Sequence, residues 1–447
     1  MTATLTDLSK YASEHWQDFS DLWRFKTIAA QHLGIQETID WLAKTFKQLG
    51  AKTVEVWNDQ GGNPVIYAEF AGNSDKTVLF YNHYDTQPAD PVDQWDSDPF
   101  EPSVRDGKIF VRGAEDDKGE LLFRLVLLKY YQEHGGLPVN AKFYVEGEEE
   151  IGSSHVVKYT QAHRDQLTAD AVIWEGGAKN AAGQLSITGG LRGIACLKLS
   201  VSSAKTDLHS SLASYAESAP WRLVKALNSL RDDDDNHIKV AGIYDDVTPL
   251  TDEERSLIGK LNFDPQTIIQ NAGLTRPLLS KQPLIDLANE PTINIEGITA
   301  GYQDEGVKTV TPCYASAKLD FRLAPSQDPT RITGLVQKQL EQNGFSDVKA
   351  EYLVGQPGFR SDVNHPFIKL VCDTAAEVYG ENGYEYVLNS YGAGPAYAFG
   401  RLLKLPVLSI GLGYAGAHVH GANENIRLND AYQALQHLDL VLSRFAE

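Results

Sequence analysis

Between residues 35 and 175 the sequence switches repeatedly between helix-period and strand-period hydrophobic patterns. Ile35, Ile39, Leu42, Phe46 and Leu49 recur at steps of four and three, one face of a helix, and Gly50 follows as its C-cap. The runs "TVEVW" and "PVIYAEF", separated by "NDQGGN", read as a β-hairpin, and "KTVLFYN" is a mostly apolar run of buried-strand type. A helix begins near Lys118, with Leu121, Leu125 and Leu128 on one face and Gly135-Gly136 at its end. "AKFYVEG" is the next strand, residues 153–163 form a helix, and "ADAVIW" is again a strand. Alternation of this kind predicts an α/β fold: a mixed, largely parallel sheet with helices on both faces.

Near residue 190 the rhythm changes. "GIACLKLSVSS" reads as a strand and "APWRLVKALNSLRD" as a helix. The strands "TINIEGI" and "YASAKLDFRLAP", a helix at about 329–343 and the strand "VKAEYLV" follow. The order β-α-β-β-α-β is that of a ferredoxin-like α+β unit. A segment of residues 236–290, with helical and proline-containing pieces, interrupts it and finds no place on its core. After residue 356 the α/β rhythm resumes, with helices near 366–379, after Gly394-Pro395 and from about 429, and the strand "LPVLSIG". The expected division is therefore 1–189 and 357–447 for one domain, with 190–356 inserted.

The 447 residues carry a net charge of −20 and are 42% hydrophobic, enough for a sizeable core. Nucleic acid and anionic membranes need a basic face, so neither is expected as a partner. Cys196, Cys313 and Cys372 lack metal-binding spacing and cannot all pair, which suits a reducing compartment. The polar N-terminus and the absence of a long apolar run lead us to expect a cytoplasmic protein. The run Asp232 to Asp235 reads as a solvated helix end.

Ligands of open parallel sheets gather beyond the carboxyl ends of the strands. His83 and Asp85 ("NHYDTQP") leave "KTVLFYN", and Asp116 and Asp117 ("RGAEDDKG") precede the helix at Lys118. Glu149 and Glu150 ("EGEEEIGS") follow "AKFYVEG", Glu175 follows "ADAVIW", and His418 and His420 ("GAHVHGANE") follow "LPVLSIG". Singly, each has a plain structural reading: a polar loop histidine, a helix N-cap, a solvated acidic turn. Together, imidazoles and carboxylates on one edge are the donor set of a divalent metal. One Zn²⁺ takes about four such ligands. His83, Asp116, Glu150, Glu175 and His420 are one too many for it and suit two ions if a carboxylate bridges. Glu149 is then left as a general base. "GLGYAG" (Gly411 to Gly416) fits G-x-G-x-x-G, but no periodic helix opens at its third glycine and too little chain remains for a dinucleotide fold.

The stretch from Tyr81 to Gly119, with "EGEEEIGS", resembles the two signatures of the di-zinc metallopeptidase and aminoacylase family. Its branches include carnosinase-like dipeptidases, glutamate carboxypeptidases and deacylases of acetylornithine and succinyl-diaminopimelate. "EPTINIEGITAGYQDEGVKTVTP" is most similar to the carnosinase-like branch. The resemblance runs over nearly the whole chain. It implies a zinc-exopeptidase-type sheet domain with an inserted lid and dimerisation domain, two Zn²⁺ per subunit (Mn²⁺ or Co²⁺ being able to replace them) and a homodimer. It also implies His83, Glu150, Glu175 and His420 as ligands, Asp116 as the bridge before a cis peptide, Asp85 orienting His83, and Glu149 as base. His420 rather than His418 matches the family's spacing to Asn-Glu. In the lid, "DLHSS" stands where the family has "DLHSG". His209 takes the role of a histidine that stabilises the oxyanion in the partner subunit's site. Arg322, Thr309 and Gly392 fall at substrate-contacting positions.

The activity implied is metal-dependent hydrolysis of the amide bond of a dipeptide or short peptide. The family's dipeptidases usually carry Asp at the Glu175 position, whereas its carboxypeptidases and N-acyl-amino-acid deacylases carry Glu. Deacylation is therefore the competing reading, and a non-catalytic metal-binding relative is a third.

Overall fold

A computed structural model describes residues 5–232 and 236–447, so Asp233 to Asp235 of the acidic run lie outside the described residues. The chain forms two compact units. One runs to Gly190 and resumes over Arg360–Leu388 and Pro395–Glu447, and the other is Leu191–Phe359 with Asn389–Gly394.

In the first unit, nine strands of the main sheet run in the order Thr53–Trp57, Val65–Phe70, Asn140–Glu146, Thr77–His83, Ala171–Trp174, Val407–Ser409, Leu185–Thr188, Ala178–Lys179 and Gly413–Tyr414. Tyr384–Val387 joins Leu185–Thr188 as a tenth strand. The first two strands pair antiparallel as the expected hairpin. The central Thr77–His83 lies parallel to both neighbours, as its continuous apolar run requires. His83 stands opposite Glu146, and Trp174 opposite Ser409, so these carboxyl ends share one edge.

The helix Lys118–Glu133 is buried nearly along its length. Each fully buried leucine there contributes on the order of 2 kcal/mol. The buried Arg124 bonds it to two strand ends, donating to Tyr81 O (2.7 Å), Asn82 Oδ1 (2.7 Å) and Trp174 O (2.9 Å). The helix expected after Gly394-Pro395 is a single five-residue π turn, Ala398–Leu402. Phe399 anchors it edge-on to the stacked rings of Tyr81 and Trp174.

The second unit holds a four-stranded antiparallel sheet in the order Thr292–Ala300, Tyr314–Leu323, Gly193–Ser202, Lys349–Gln356. With helices Ala219–Asn228 and Pro329–Gln342 this is the ferredoxin-like arrangement. Leu197, Leu199, Leu223, Phe321, Val336 and Leu340 lie in its core. Ile238, Val240 and Ile243 enter the same core, which places the start of the 236–290 segment. The rest is three short helices, Asp252–Ile258, Pro265–Asn271 and Pro283–Asn289. No helix among the described residues is long and apolar enough to cross a membrane, and all three cysteines are free thiols.

Candidate metal centre

The sheet edge gathers His83, Asp85, Asp116, Glu149, Glu150, Glu175 and His420 within the first unit. His83 ends its strand fully buried. Its Nδ1 lies 3.0 Å from Asp85 O and 3.3 Å from the Asp85 carboxylate. An Nδ1–H donated there leaves the Nε2 lone pair free to bind a cation. Nε2 lies 2.9 Å from Asp116 Oδ1 and 3.4 Å from Glu175 Oε2. The other Asp116 oxygen, Oδ2, is 2.9 Å from His420 Nε2, which is itself 3.3 Å from Glu150 Oε2. One aspartate thus presents one oxygen to each of two histidine–glutamate pairs. The peptide after it, Asp116–Asp117, is cis.

The crowded acids of "EGEEE" separate by partner. Glu146 is buried beneath the edge, where Tyr81 and Ser153 hydroxyls donate to it. Glu148 takes the Asn63 amide (3.0 Å) and pairs with His155 (2.7 Å). Glu150 is held by Gln87, whose backbone N–H reaches Oε1 (2.9 Å) and whose side-chain amide reaches Oε2 (2.8 Å). Among the described residues, none of the hydrogen bonds at this edge engages the Glu149 carboxylate. Burial, only partly offset by His83, pushes its pKa up to about 7, with Asp116 and Glu150 adding to the rise.

Asp117 is the residue that sequence reasoning passed over as a helix cap. It occupies the N-cap position but makes no side-chain capping bond. Its Oδ2 instead accepts Asn82 Nδ2–H (2.7 Å) and the His83 backbone N–H (3.0 Å). A carboxylate oxygen of Asp117 joins a ring nitrogen of His83 and a carboxylate oxygen of Glu175 in a group spaced to hold a metal, and Asp116, Glu150 and His420 form a second. His418 is not in either group; its Nδ1 turns to Ala422 O, 3.4 Å away.

The donor set fits divalent cations. Asp117 Oδ1 and Glu175 Oε2 are buried without a hydrogen-bond partner, a costly state for a carboxylate unless a cation faces it. Burial holds the Glu175 pKa well above the ordinary carboxyl value despite His83. Burial disfavours charge on His83, yet Glu175, Asp116 and Asp85 overcome it and raise its pKa. Hydrogen bonding to Asp116 and Glu150 pushes His420 up to about 10. The carboxylates raise the two histidines, whereas Glu149 and Glu175 are raised first by burial and then by neighbouring carboxylates.

"GLGYAG" is a close-packing device. A Cβ on Gly411 would stand 2.2 Å from Gly177 O, and Gly413–Tyr414 pairs with Ala178–Lys179.

The second unit carries the remaining expected residues in two places. His209 pairs across a short ladder with Val310, beside Thr309, whose carbonyl accepts Ser210 N–H (3.1 Å). His209 Nδ1 lies 2.9 Å from Ser211 Oγ and 3.3 Å from Ser211 N–H; where it accepts from both, a neutral ring carries its proton on Nε2. Ser211 is not among the residues with positive φ, so its position does not require the family's glycine. Arg322 and Gly392 meet through Arg192, which donates from its guanidinium to Arg322 O (3.2 Å) and from its backbone N–H to Gly392 O (3.0 Å).

Residues 79–444 match the model of peptidase family M20/M25/M40. The chain is 34% identical to an M20 family metallo-carboxypeptidase, Sso-CP2 from Sulfolobus solfataricus, with a TM-score of 0.86 over 97% of this chain and 99% of that one. It is 28% identical to the Beta-Ala-His dipeptidase of Mus musculus over 81% of this chain and 76% of that protein. It is 26% identical to the Cys-Gly metallodipeptidase dug1 of Schizosaccharomyces pombe (strain 972 / ATCC 24843), covering 90% and 88%. The chain is thus a peptidase, a hydrolase belonging to the metal-dependent family M20/M25/M40.

Proposed function

We propose that the protein is an exopeptidase that hydrolyses the amide bond of dipeptides or short peptides with two bound divalent ions, Zn²⁺ or, on the same donor set, Mn²⁺ or Co²⁺. The observation that carries this reading is the Asp116 carboxylate, shared between His83 with Glu175 and His420 with Glu150. His83, Asp116 and Glu175 would hold one ion and Asp116, Glu150 and His420 the other, with Asp117 beside the first. Ions so held supply Lewis-acid polarisation and a water of lowered pKa.

The chain's own residues do the rest. Asp85 fixes the His83 tautomer. Glu149, which the hydrogen bonds of the edge leave unengaged, takes a proton from water and delivers it to the leaving amine. The lid unit, contributed as one half of a homodimer, brings His209 Nε2–H of a second copy to the developing oxyanion. Arg322 grips the substrate carboxylate with its planar fork, with Thr309 and Gly392 beside the substrate. The free thiols suit a cytoplasmic enzyme.

Glu175, and the likeness to Sso-CP2, favour a second reading in which longer or N-blocked peptides lose their C-terminal residue. A panel of free dipeptides, N-blocked dipeptides, acetyl-amino acids and C-terminal amides, run with zinc, manganese and cobalt, separates these. The expected order places free dipeptides first and C-terminal amides last. Faster release of a C-terminal residue from N-blocked dipeptides selects the carboxypeptidase, and faster turnover of acetyl-amino acids selects a deacylase. No hydrolysis of any member by metal-loaded protein refutes catalysis.

A further inference from the structure

We propose that Arg112 and Glu424 form a buried clasp that positions Asp116 and His420, and so sets the ion affinity of the half-site made by Asp116, Glu150 and His420. The inference rests on the reading that these three residues hold an ion. Neither member touches that ion or the substrate, so both are positioning residues.

Both side chains are buried, Arg112 at 1% exposure and Glu424 at 0%, and they pair at 2.6 Å. The Glu424 carboxylate accepts three further N–H groups, from Gly113 (2.8 Å), Glu115 (3.0 Å) and Asp116 (3.2 Å). It therefore fixes the backbone that carries the shared aspartate. The second amino group of Arg112 donates to His420 O (3.2 Å), Gly421 O (3.1 Å) and Pro88 O (3.2 Å). The first two contacts hold the turn that carries the imidazole. The third holds the residue after Gln87, which in turn holds Glu150. All three donors of one half-site are thus tied to one ion pair.

The turn needs holding. His418, His420 and Asn423 adopt φ of 58°, 61° and 58°, left-handed conformations that side chains other than glycine rarely take. A surrounding structure must over-determine such residues for them to persist. The other half-site has its own supports: His83 is oriented by Asp85 and by the Asp117 bond to its backbone. The clasp also has a cost that packing alone would not select, since Arg112 Nε–H is buried without a partner.

The test uses metal binding by the full-length protein, stripped with a chelator and titrated with Zn²⁺ against a chromophoric competitor. Wild type is expected to bind two ions. Arg112→Lys keeps the charge but not the fork; it should bind the first ion as wild type does and the second about 10–100-fold more weakly. In a His420→Ala background the same change should weaken ion binding by less than it does alone, because part of the clasp's hold on the half-site passes through the His420 turn. Wild-type affinity for both ions in Arg112→Lys, equal weakening of both, or full additivity with His420→Ala would each overturn the proposal. If Arg112→Lys shows no cooperative thermal transition, Glu424→Gln carries the same comparison. Loss of folding in both variants also overturns it, since the pair would then serve the fold and not one half-site. A wild type that binds fewer than two ions refutes the two-ion reading itself and the clasp with it.

Discussion

Replacing Glu149 by Gln separates chemistry from structure at this edge. The carboxylate is half-buried and the hydrogen bonds around it do not involve it, so an isosteric amide removes no bond. The change also removes one negative charge beside Asp116 and Glu150, whose repulsion contributes to the raised Glu149 pKa. The metal-free variant should therefore melt no lower than wild type. Gln cannot take up a proton from water. Loss of a positioned general base costs about 10²–10⁴ in rate. In barrier terms that is about 3–5 kcal/mol at 1.36 kcal/mol per tenfold. The assay measures kcat on the best dipeptide of the panel, with metal content determined on the same sample by mass spectrometry. Turnover within tenfold of wild type, with metal bound, would refute the base assignment. Loss of metal along with turnover would make Glu149 a ligand and equally contradict the scheme.

Two further predictions concern other parts of the chain. His437 is buried in the C-terminal helix Leu428–Phe445, with Nε2 at Thr374 Oγ1 and Val371 O (both 3.1 Å) and Nδ1 without a partner. Burial, opposed by the Val371 carbonyl, pushes its pKa down to about 4. The unfolded chain, titrating near 6.5, binds the proton first, so this group's contribution to stability falls as pH drops from about 6.5 to 4, by roughly 3 kcal/mol in total. Urea unfolding across that range should show a shallower decline for His437→Gln than for wild type; parallel curves would refute the assignment. In the lid unit, His209→Ala should lower kcat by about 10²–10³ with metal content unchanged. If each site borrows the partner subunit's histidine, mixing this variant with Glu149→Gln should restore activity, because hybrid dimers contain one complete site. No recovery on subunit exchange would contradict the shared site.

What the sequence made legible follows from where its signals were local. His83, Glu150, Glu175 and His420 each follow a strand whose apolar pattern is plain, so their common edge could be read from the α/β rhythm alone. Asp117 could not, because Asp-Asp before a helix reads as a cap; its actual partners, Asn82 and the His83 backbone, lie some thirty residues away in sequence. Glu146 sits among solvated-looking acids, but the buried Tyr81 hydroxyl claims it from the neighbouring strand. Arg112 and Glu424 are separated by 312 positions and leave no periodic trace. The 236–290 segment hid its place for a similar reason. Ile238, Val240 and Ile243 are too few and too irregular to show a period, yet they fill the inserted unit's core.

A crystal of the zinc-loaded protein measured at the zinc absorption edge locates the ions without recourse to activity. Two anomalous peaks are expected, about 3.5–4 Å apart, one on each side of the Asp116 carboxylate and with Glu149 bonded to neither. A single peak, or a pair that does not share Asp116, would contradict the shared-carboxylate centre on which the proposed chemistry stands.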